Sequence, residues 1–301
     1  MSKYVPDVLS RRWVIISGHR ISRPEDSFSK KSPKGRSTSG RKNQVCVFCP
    51  GNEHLTPNET FRVGKGEKDQ PEWKVRVIPN KYPITDLHEV IIHSPKHNQD
   101  IDSLPLDQEM CLFQAYKQRY NFYKPRGQVL IFCNHGEHSG ASLIHPHSQL
   151  VVIPKQINLD TLTREPLNNV VETNRFFYVY CPDFSQWPYE AWIVPKKEGL
   201  LFGDIVDKEI TDLANILQKT LKSLKKIAER RRLTQDSFAY NYYIYPKENW
   251  YLRVIPRLVH RAGFELGTGL SVNVIDPYEA SQEIRGVEEK LTNVLKKLRK
   301  Y

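Results

Sequence analysis

His145-Pro146-His147-Ser148-Gln149-Leu150-Val151-Val152-Ile153-Pro154-Lys155 is the stretch whose reading decides the fold. The run Leu150 to Ile153 is apolar and closed by a proline, which predicts a buried strand ending there. About one hundred residues later the chain repeats that ending as Tyr251-Leu252-Arg253-Val254-Ile255-Pro256-Arg257. Working outward, the first copy reads as a strand from Glu89 to His93, Pro95, a helix from about Leu106 to Tyr123, a strand from Gln128 to Phe132 and the strand Gln149 to Ile153. The second reads as a strand from Glu190 to Val194, Pro195, a helix from about Lys208 to Arg232, a strand from Phe238 to Ile244 and the strand Tyr251 to Ile255. Two copies are too few for a solenoid. The expected fold is therefore α+β, with antiparallel sheets and packed helices in two related halves, residues 1–180 and 181–301.

The same stretch carries the chemistry. In an extended strand alternate side chains share a face, so His145, His147 and Gln149 should point one way. A neutral imidazole attacks phosphorus well and leaves well, and a carboxamide donates to a phosphoryl oxygen without acting as a base. Covalent phosphoryl or nucleotidyl transfer through His147 is the simplest reading. Sliding the second copy onto the first sets Lys247, Asn249 and Tyr251 against these three, so the second half should serve support or recognition.

Cys46-Val47-Phe48-Cys49 precedes the turn-like Pro50-Gly51-Asn52. This pair alone fits a zinc half-site, a redox dithiol or two buried thiols, and His97 and His145 are the leading candidates to complete a closed, structural Cys2His2 site. The loop Asn134 to Ser142, rich in small residues, reads as a phosphate nest or a plain turn, and its place beside His145 and His147 favours phosphate. Arg20 and Arg23 follow a strand, Arg12 to Ile16, where guanidinium groups can clamp phosphate or simply be solvated. His54, His88, His93 and His260 are set aside as surface or hydrogen-bonded histidines. Ser27 to Gln44 reads as a polar mobile loop, Trp73 to Ile78 as a half-buried strand, and Ile284 to Leu298 as an amphipathic helix.

Composition bounds the rest. With 301 residues, 39% of them hydrophobic, the chain can bury a sizeable core. No run approaches the length of a membrane span and the start lacks an apolar signal core, so a soluble cytoplasmic protein with no membrane partner is expected. Five cysteines with one close pair argue against a disulfide framework. The net charge of +11 suits an anionic ligand, a nucleotide or sugar phosphate, with nucleic acid as the rival. A zinc-stabilised nucleic-acid-binding protein is thus the alternative from another class, weaker because charge does not explain where His147 and Gln149 stand.

Taken together, Trp13 to Arg20, Cys46-x-x-Cys49, Asn80-Lys81-Tyr82-Pro83, Asn134 to Gln149 and Trp187-Pro188-Tyr189-Glu190 to Gly263-Phe264-Glu265 resemble the galactose-1-phosphate uridylyltransferase family of the histidine triad superfamily. The resemblance implies two histidine-triad-like halves, with catalysis and zinc in the first. It implies His147 as the nucleophile, Gln149 on the phosphoryl group, and zinc on Cys46, Cys49, His97 and His145. Asn80, Tyr82, Asn134, Gly140 and Ser142 would line the nucleotide site, Arg20 and Arg23 would lie near the phosphates, and Glu265 falls in the sugar-binding stretch. A homodimer is the implied assembly, nucleotide sugar and hexose 1-phosphate the implied substrates, and UDP-glucose and galactose 1-phosphate the first pair to try. Gly263 to Ser271, with Ser142 and Leu143, is also similar to the ADP-glucose phosphorylase branch. Tyr245, Tyr251 and Arg253 stand where the family often builds a second metal site, so no second metal is expected.

Overall fold

In this computed structural model the described residues are 2–7, 12–18, 20, 45–159, 162, 164, 166–233 and 237–286. Arg23, the loop Ser27 to Gln44 and nearly all of the expected C-terminal helix lie outside them. Contacts divide the chain into two compact units, Met1–Asp100 with Asp107–Leu159 and Ile101–Leu106 with Asp160–Tyr301.

In the first unit a hairpin of β1 (Lys3–Asp7) and β2 (Arg12–Ile16) stands apart from a sheet of β3 (Phe61–Gly64), β4 (Trp73–Pro79), β5 (His88–Ile92), β6 (Gln128–His135) and β7 (His147–Ile153). The sheet runs β3-β4-β5-β7-β6, with each of these neighbours antiparallel. Ladder partners face the same side, so the register Ile92↔His147, Val90↔Gln149 and His88↔Val151 puts His147 and Gln149 of β7 on one face. Ser148, Leu150, Glu89 and Ile91 take the other face. There helix α1 (Leu106–Tyr123) packs, burying Leu112, Phe113, Tyr116, Arg119, Tyr120 and Tyr123 at three- and four-residue spacing.

The face under α1 is not wholly apolar. Glu89, 2% exposed, accepts from Arg119 Nε (2.9 Å) and a terminal Arg119 nitrogen (2.7 Å), from Tyr123 (3.0 Å) and from Thr60 Oγ1 (2.6 Å). A carboxylate buried this deeply persists because both of its oxygens accept hydrogen bonds and a guanidinium balances its charge.

The second unit repeats the plan. Its sheet runs β11 (Tyr240–Ile244), β12 (Leu252–Pro256), β10 (Ala191–Pro195), β9 (Phe177–Tyr180) and β8 (Val170–Thr173), with α2 (Asp207–Arg230) and α4 (Pro277–Ile284). β10-β12-β11 reproduces β5-β7-β6: in each unit the last strand of the repeat slots between the first and the second. β8 and β9 precede residue 180, yet β9 pairs with β10, so they belong to the second unit. On α2 the apolar residues Ile210, Leu213, Ile216, Leu217, Leu221, Leu224 and Ile227 form a buried stripe at three- and four-residue spacing. Arg230 and Arg231, at the end of α2, bind the buried Glu283 of α4.

Replacing Arg119 by Met should leave the Glu89 carboxylate buried and unpaired. We expect a loss of about 3–5 kcal/mol in stability, read as a fall in the urea midpoint at constant slope.

Candidate active site

The metal-ligand residues converge through three separate local structures. Cys46 and Cys49 sit on successive tight turns, with Cys49 N–H donating to Cys46 O and Asn52 N–H to Cys49 O, each at 3.2 Å. Glu53 locks this knuckle to β4 by accepting from Gly51 N–H (2.8 Å) and Trp73 Nε1 (2.8 Å). His145, fully buried, gives its Nε2–H to the carbonyl of Ser94 (2.9 Å), and so turns Nδ1 toward Cys46 and Cys49 Sγ, both 3.6 Å away. His97 Nδ1 lies 3.3 Å from Cys49 Sγ. All four ligand atoms fall within 4.8 Å of one another.

The edge between sulfur and nitrogen in a tetrahedral site with ordinary zinc bond lengths is about 3.6 Å, so the three sulfur–nitrogen separations are close to those around a single four-coordinate ion. Burial and the adjoining Cys46 push the Cys49 thiol up to about 11. That direction disfavours the redox-dithiol reading, which needs an accessible thiolate, whereas a divalent cation deprotonates such a pair. Among the described residues no other such cluster of metal ligands occurs. At the positions of the family's second site, Arg253 is ion-paired with Glu190 at 2.7 Å and Tyr245 stacks on Tyr251, a donor set that does not suit a cation.

Hydrogen bonds fix the chemistry of the next two residues. His147 Nδ1 lies 2.9 Å from the carbonyl oxygen of His145. A carbonyl only accepts, so Nδ1 carries the proton and Nε2 carries the lone pair. Phe48, between the two cysteines, packs edge-on against the His147 ring at 5.4 Å, tying the knuckle to this imidazole. Ile84 N–H donates to His88 Nδ1 (2.9 Å), so His88 bears its proton on Nε2 and gives it to Gln149 Oε1 (2.9 Å). Asn80 Nδ2 adds a longer bond to the same oxygen (3.4 Å), its own oxygen being held by Tyr82 N–H. With Oε1 so engaged, Gln149 offers its NH2 group as donor.

Both side chains line a cavity of about 410 Å³. One wall is apolar, from Val45, Val47, Leu55, Pro57, Ile78 and Leu143, and the polar rim carries Arg20, Asn80, Lys81, Tyr82 and Ser142. No Asp or Glu is among the described lining residues, which suits an anionic ligand. Arg20 is placed by a bond to Tyr82 O (2.9 Å), and Ser17 ties the same hairpin to Pro83 O (2.7 Å).

Sequence and structure differ at several points. β7 begins at His147, so His145 is not part of a three-residue row on one strand face; the proline between them breaks the ladder and sends the imidazole to the cysteines. Asn134 lies on β6 and is not among the cavity's lining residues; Gly140 stands in a left-handed turn (φ +80°) just before Ser142. Glu265 is in the second unit, in the short helix α3 (Gly263–Thr268), where it accepts from Ala262 N–H at 3.0 Å. His88, set aside on sequence, turns out to orient Gln149; its signal was only the shared face with Val90 and Ile92.

The chain thus has two related α+β halves, one of them bearing an imidazole of fixed tautomer beside a Cys2His2 cluster. Residues 85–153 match the profile of the galactose-1-phosphate uridyl transferase N-terminal domain. The chain is 28% identical to the ADP-glucose phosphorylase of Arabidopsis thaliana, over 93% of this chain and 92% of that one. It is 23% identical to the galactose-1-phosphate uridylyltransferase of Thermotoga maritima, over 93% and 96%. The crystal structure of the Arabidopsis ADP-glucose phosphorylase with bound ADP-glucose superposes with a TM-score of 0.68 at 25% identity, covering 95% of this chain and 99% of that one. The chain is thus similar, over nearly its whole length, to proteins named ADP-glucose phosphorylase and galactose-1-phosphate uridylyltransferase.

The purified chain should carry about one equivalent of transition metal by plasma mass spectrometry, and Cys46→Ala should lose it together with thermal stability. A metal-free wild type that is fully folded would remove the assignment.

Proposed function

We propose that this chain is a nucleotidyltransferase that moves a nucleoside monophosphate between a nucleotide sugar and a phosphorylated acceptor, with His147 as the carrier. The observation that supports it most is the opposed tautomeric state of two neighbours on one cavity: a lone pair on His147 Nε2, and an amide donor on Gln149 whose oxygen is held by His88.

His147 Nε2 attacks the α-phosphorus of the nucleotide sugar. The new N–P bond forms as the P–O bond to the sugar phosphate breaks, and hexose 1-phosphate departs with the electron pair. The proton on Nδ1 stays in place, and the carbonyl of His145 accepts from the imidazolium-like ring. Gln149 donates to the phosphoryl oxygens as charge builds there. A phosphate oxygen of the second substrate then attacks the same phosphorus, and the pair returns to Nε2. Neither leaving group needs a proton, so an amide suffices where a hydrolase needs a base, and water is not activated.

The metal we assign is zinc, held by Cys46, Cys49, His97 and His145 in a closed, structural site that braces the chain before His147. Arg20, Arg23, Asn80, Tyr82, Asn134, Gly140 and Ser142 are assigned to the nucleotide and its phosphates, and Glu265 to the sugar. UDP-glucose with galactose 1-phosphate, hence a place in galactose metabolism, is the main reading. ADP-glucose with inorganic phosphate is the second, favoured by the likeness to the Arabidopsis ADP-glucose phosphorylase. A homodimer in the cytoplasm completes the proposal; among the described residues no helix is long and apolar enough to cross a membrane.

Incubation with UDP-glucose and, separately, with ADP-glucose should add a nucleoside monophosphate to the peptide containing His147, and the added mass reports the base. His147→Ala should abolish both the adduct and turnover; retained turnover would refute the role. Gln149→His should shorten the lifetime of the isolated adduct in water, and an unchanged lifetime would count against the account of the amide.

A further inference from the structure

Behind the strand that carries His147, on the face under α1, lies a cluster that the reaction does not touch. His93, Tyr116 and Ser148 are each fully buried. His93 Nε2 is 2.5 Å from Ser148 Oγ and 3.3 Å from the Tyr116 hydroxyl, and Tyr116 also bonds Ser148 directly. A serine beside an imidazole invites comparison with a hydrolytic dyad. With all three groups sealed under the helix, no substrate reaches that hydroxyl, and a second active site is excluded.

What the cluster touches is the backbone around the nucleophile. His93 N–H donates to the carbonyl of Pro146 at 3.1 Å, and the carbonyl of the next residue, Ser94, holds the His145 ring at 2.9 Å. Residues 93 and 94 thus grip positions 145, 146 and 148, on both sides of His147. Gln108, from the first turn of α1, in turn holds the carbonyl of His93 at 2.8 Å.

We infer that His93 and Ser148, braced by Tyr116, are positioning residues for the reaction: they set the backbone of β7 so that the His147 ring meets phosphorus in line. The inference rests on the nucleotidyl-transfer reading of His147.

The residue types fit that role. Among the described residues His93 Nδ1 has no hydrogen-bond partner, so the favourable tautomer places the proton on Nε2, donating to Ser148 Oγ. Burial holds the His93 ring well below the usual imidazole range, so it stays neutral and its bond to Ser148 persists across neutral pH. An aliphatic residue at 148 would pack equally well against α1 but would leave the imidazole N–H with only the more distant phenol. In-line attack is sensitive to fractions of an ångström, whereas ligand affinity, made by the cavity on the opposite face, is not.

The test is single-turnover labelling of His147 with a radiolabelled nucleotide sugar, over a range of donor concentrations, in the wild type, Ser148→Ala and Tyr116→Phe. For Ser148→Ala we expect labelling slower by about ten- to a hundredfold at saturating donor, with half-saturation and metal content unchanged. Tyr116→Phe, which keeps the His93–Ser148 bond, should be slowed less. Wild-type labelling rates in Ser148→Ala, whatever its melting temperature, would overturn the inference. Should that variant fail to fold, Tyr116→Phe decides: slower labelling at unchanged half-saturation supports the positioning role, and an unchanged rate removes it. A wild type that no donor labels would instead remove the parent reading of His147, so the two failures are distinguishable.

Discussion

The antiparallel pairing of β5 with β7 is the constraint on which the site depends. Strands in a ladder lie at a fixed spacing of about 4.8 Å, so the residues along β5 and just beyond it decide what surrounds each residue of β7. His88 orients Gln149, the backbone of His93 holds Pro146, and Ser94 aims His145 at the cysteines. A slip of one residue would turn His147 under α1 and bring Ser148 into the cavity. Register, more than any single side chain, makes the site.

Neutral hydrogen bonds to atoms of fixed role set the tautomers. A backbone carbonyl makes His147 Nδ1 a donor, a backbone N–H makes His88 Nδ1 an acceptor, and another carbonyl makes His145 Nε2 a donor. Each assignment leaves the other ring nitrogen to a single role: a lone pair on His147 Nε2, a donor from His88 to the Gln149 amide, and a lone pair on His145 turned toward the cysteines. Because these partners belong to the main chain, they do not titrate, and the three imidazoles keep distinct roles although they lie close together. The cavity meanwhile presents Arg20 and Lys81 and no lining carboxylate among the described residues, so a phosphate-bearing ligand meets favourable charge.

Much of the fold was legible because the repeat carries it. The helices expected from about Leu106 to Tyr123 and from Lys208 are α1 and α2, and the strands ending at Ile153 and Ile255 are β7 and β12, to within a residue or two. β1, β3, β8 and β9 were not read, being four or five residues long with little alternation to separate them from loops. At the site, Cys46 with Cys49, and His145 with His147 and Gln149, stood out as short motifs, whereas His97, 48 residues from Cys49, was legible only through the family resemblance and the need for a fourth ligand. His88 and His93 did not, since their partners are 61 and 55 residues away and only the ladder brings them together.

By itself, then, the sequence determined the two-fold plan and the two short motifs at Cys46-x-x-Cys49 and His145 to Gln149, because hydrophobic period, proline stops and short-range spacing are local properties of the chain. Tertiary structure alone decided which nitrogen of each histidine carries the proton, which way the Gln149 amide points and what lies behind His147. Those are matters of register and of hydrogen-bond direction, set by partners distant in the chain and visible only once the strands are paired.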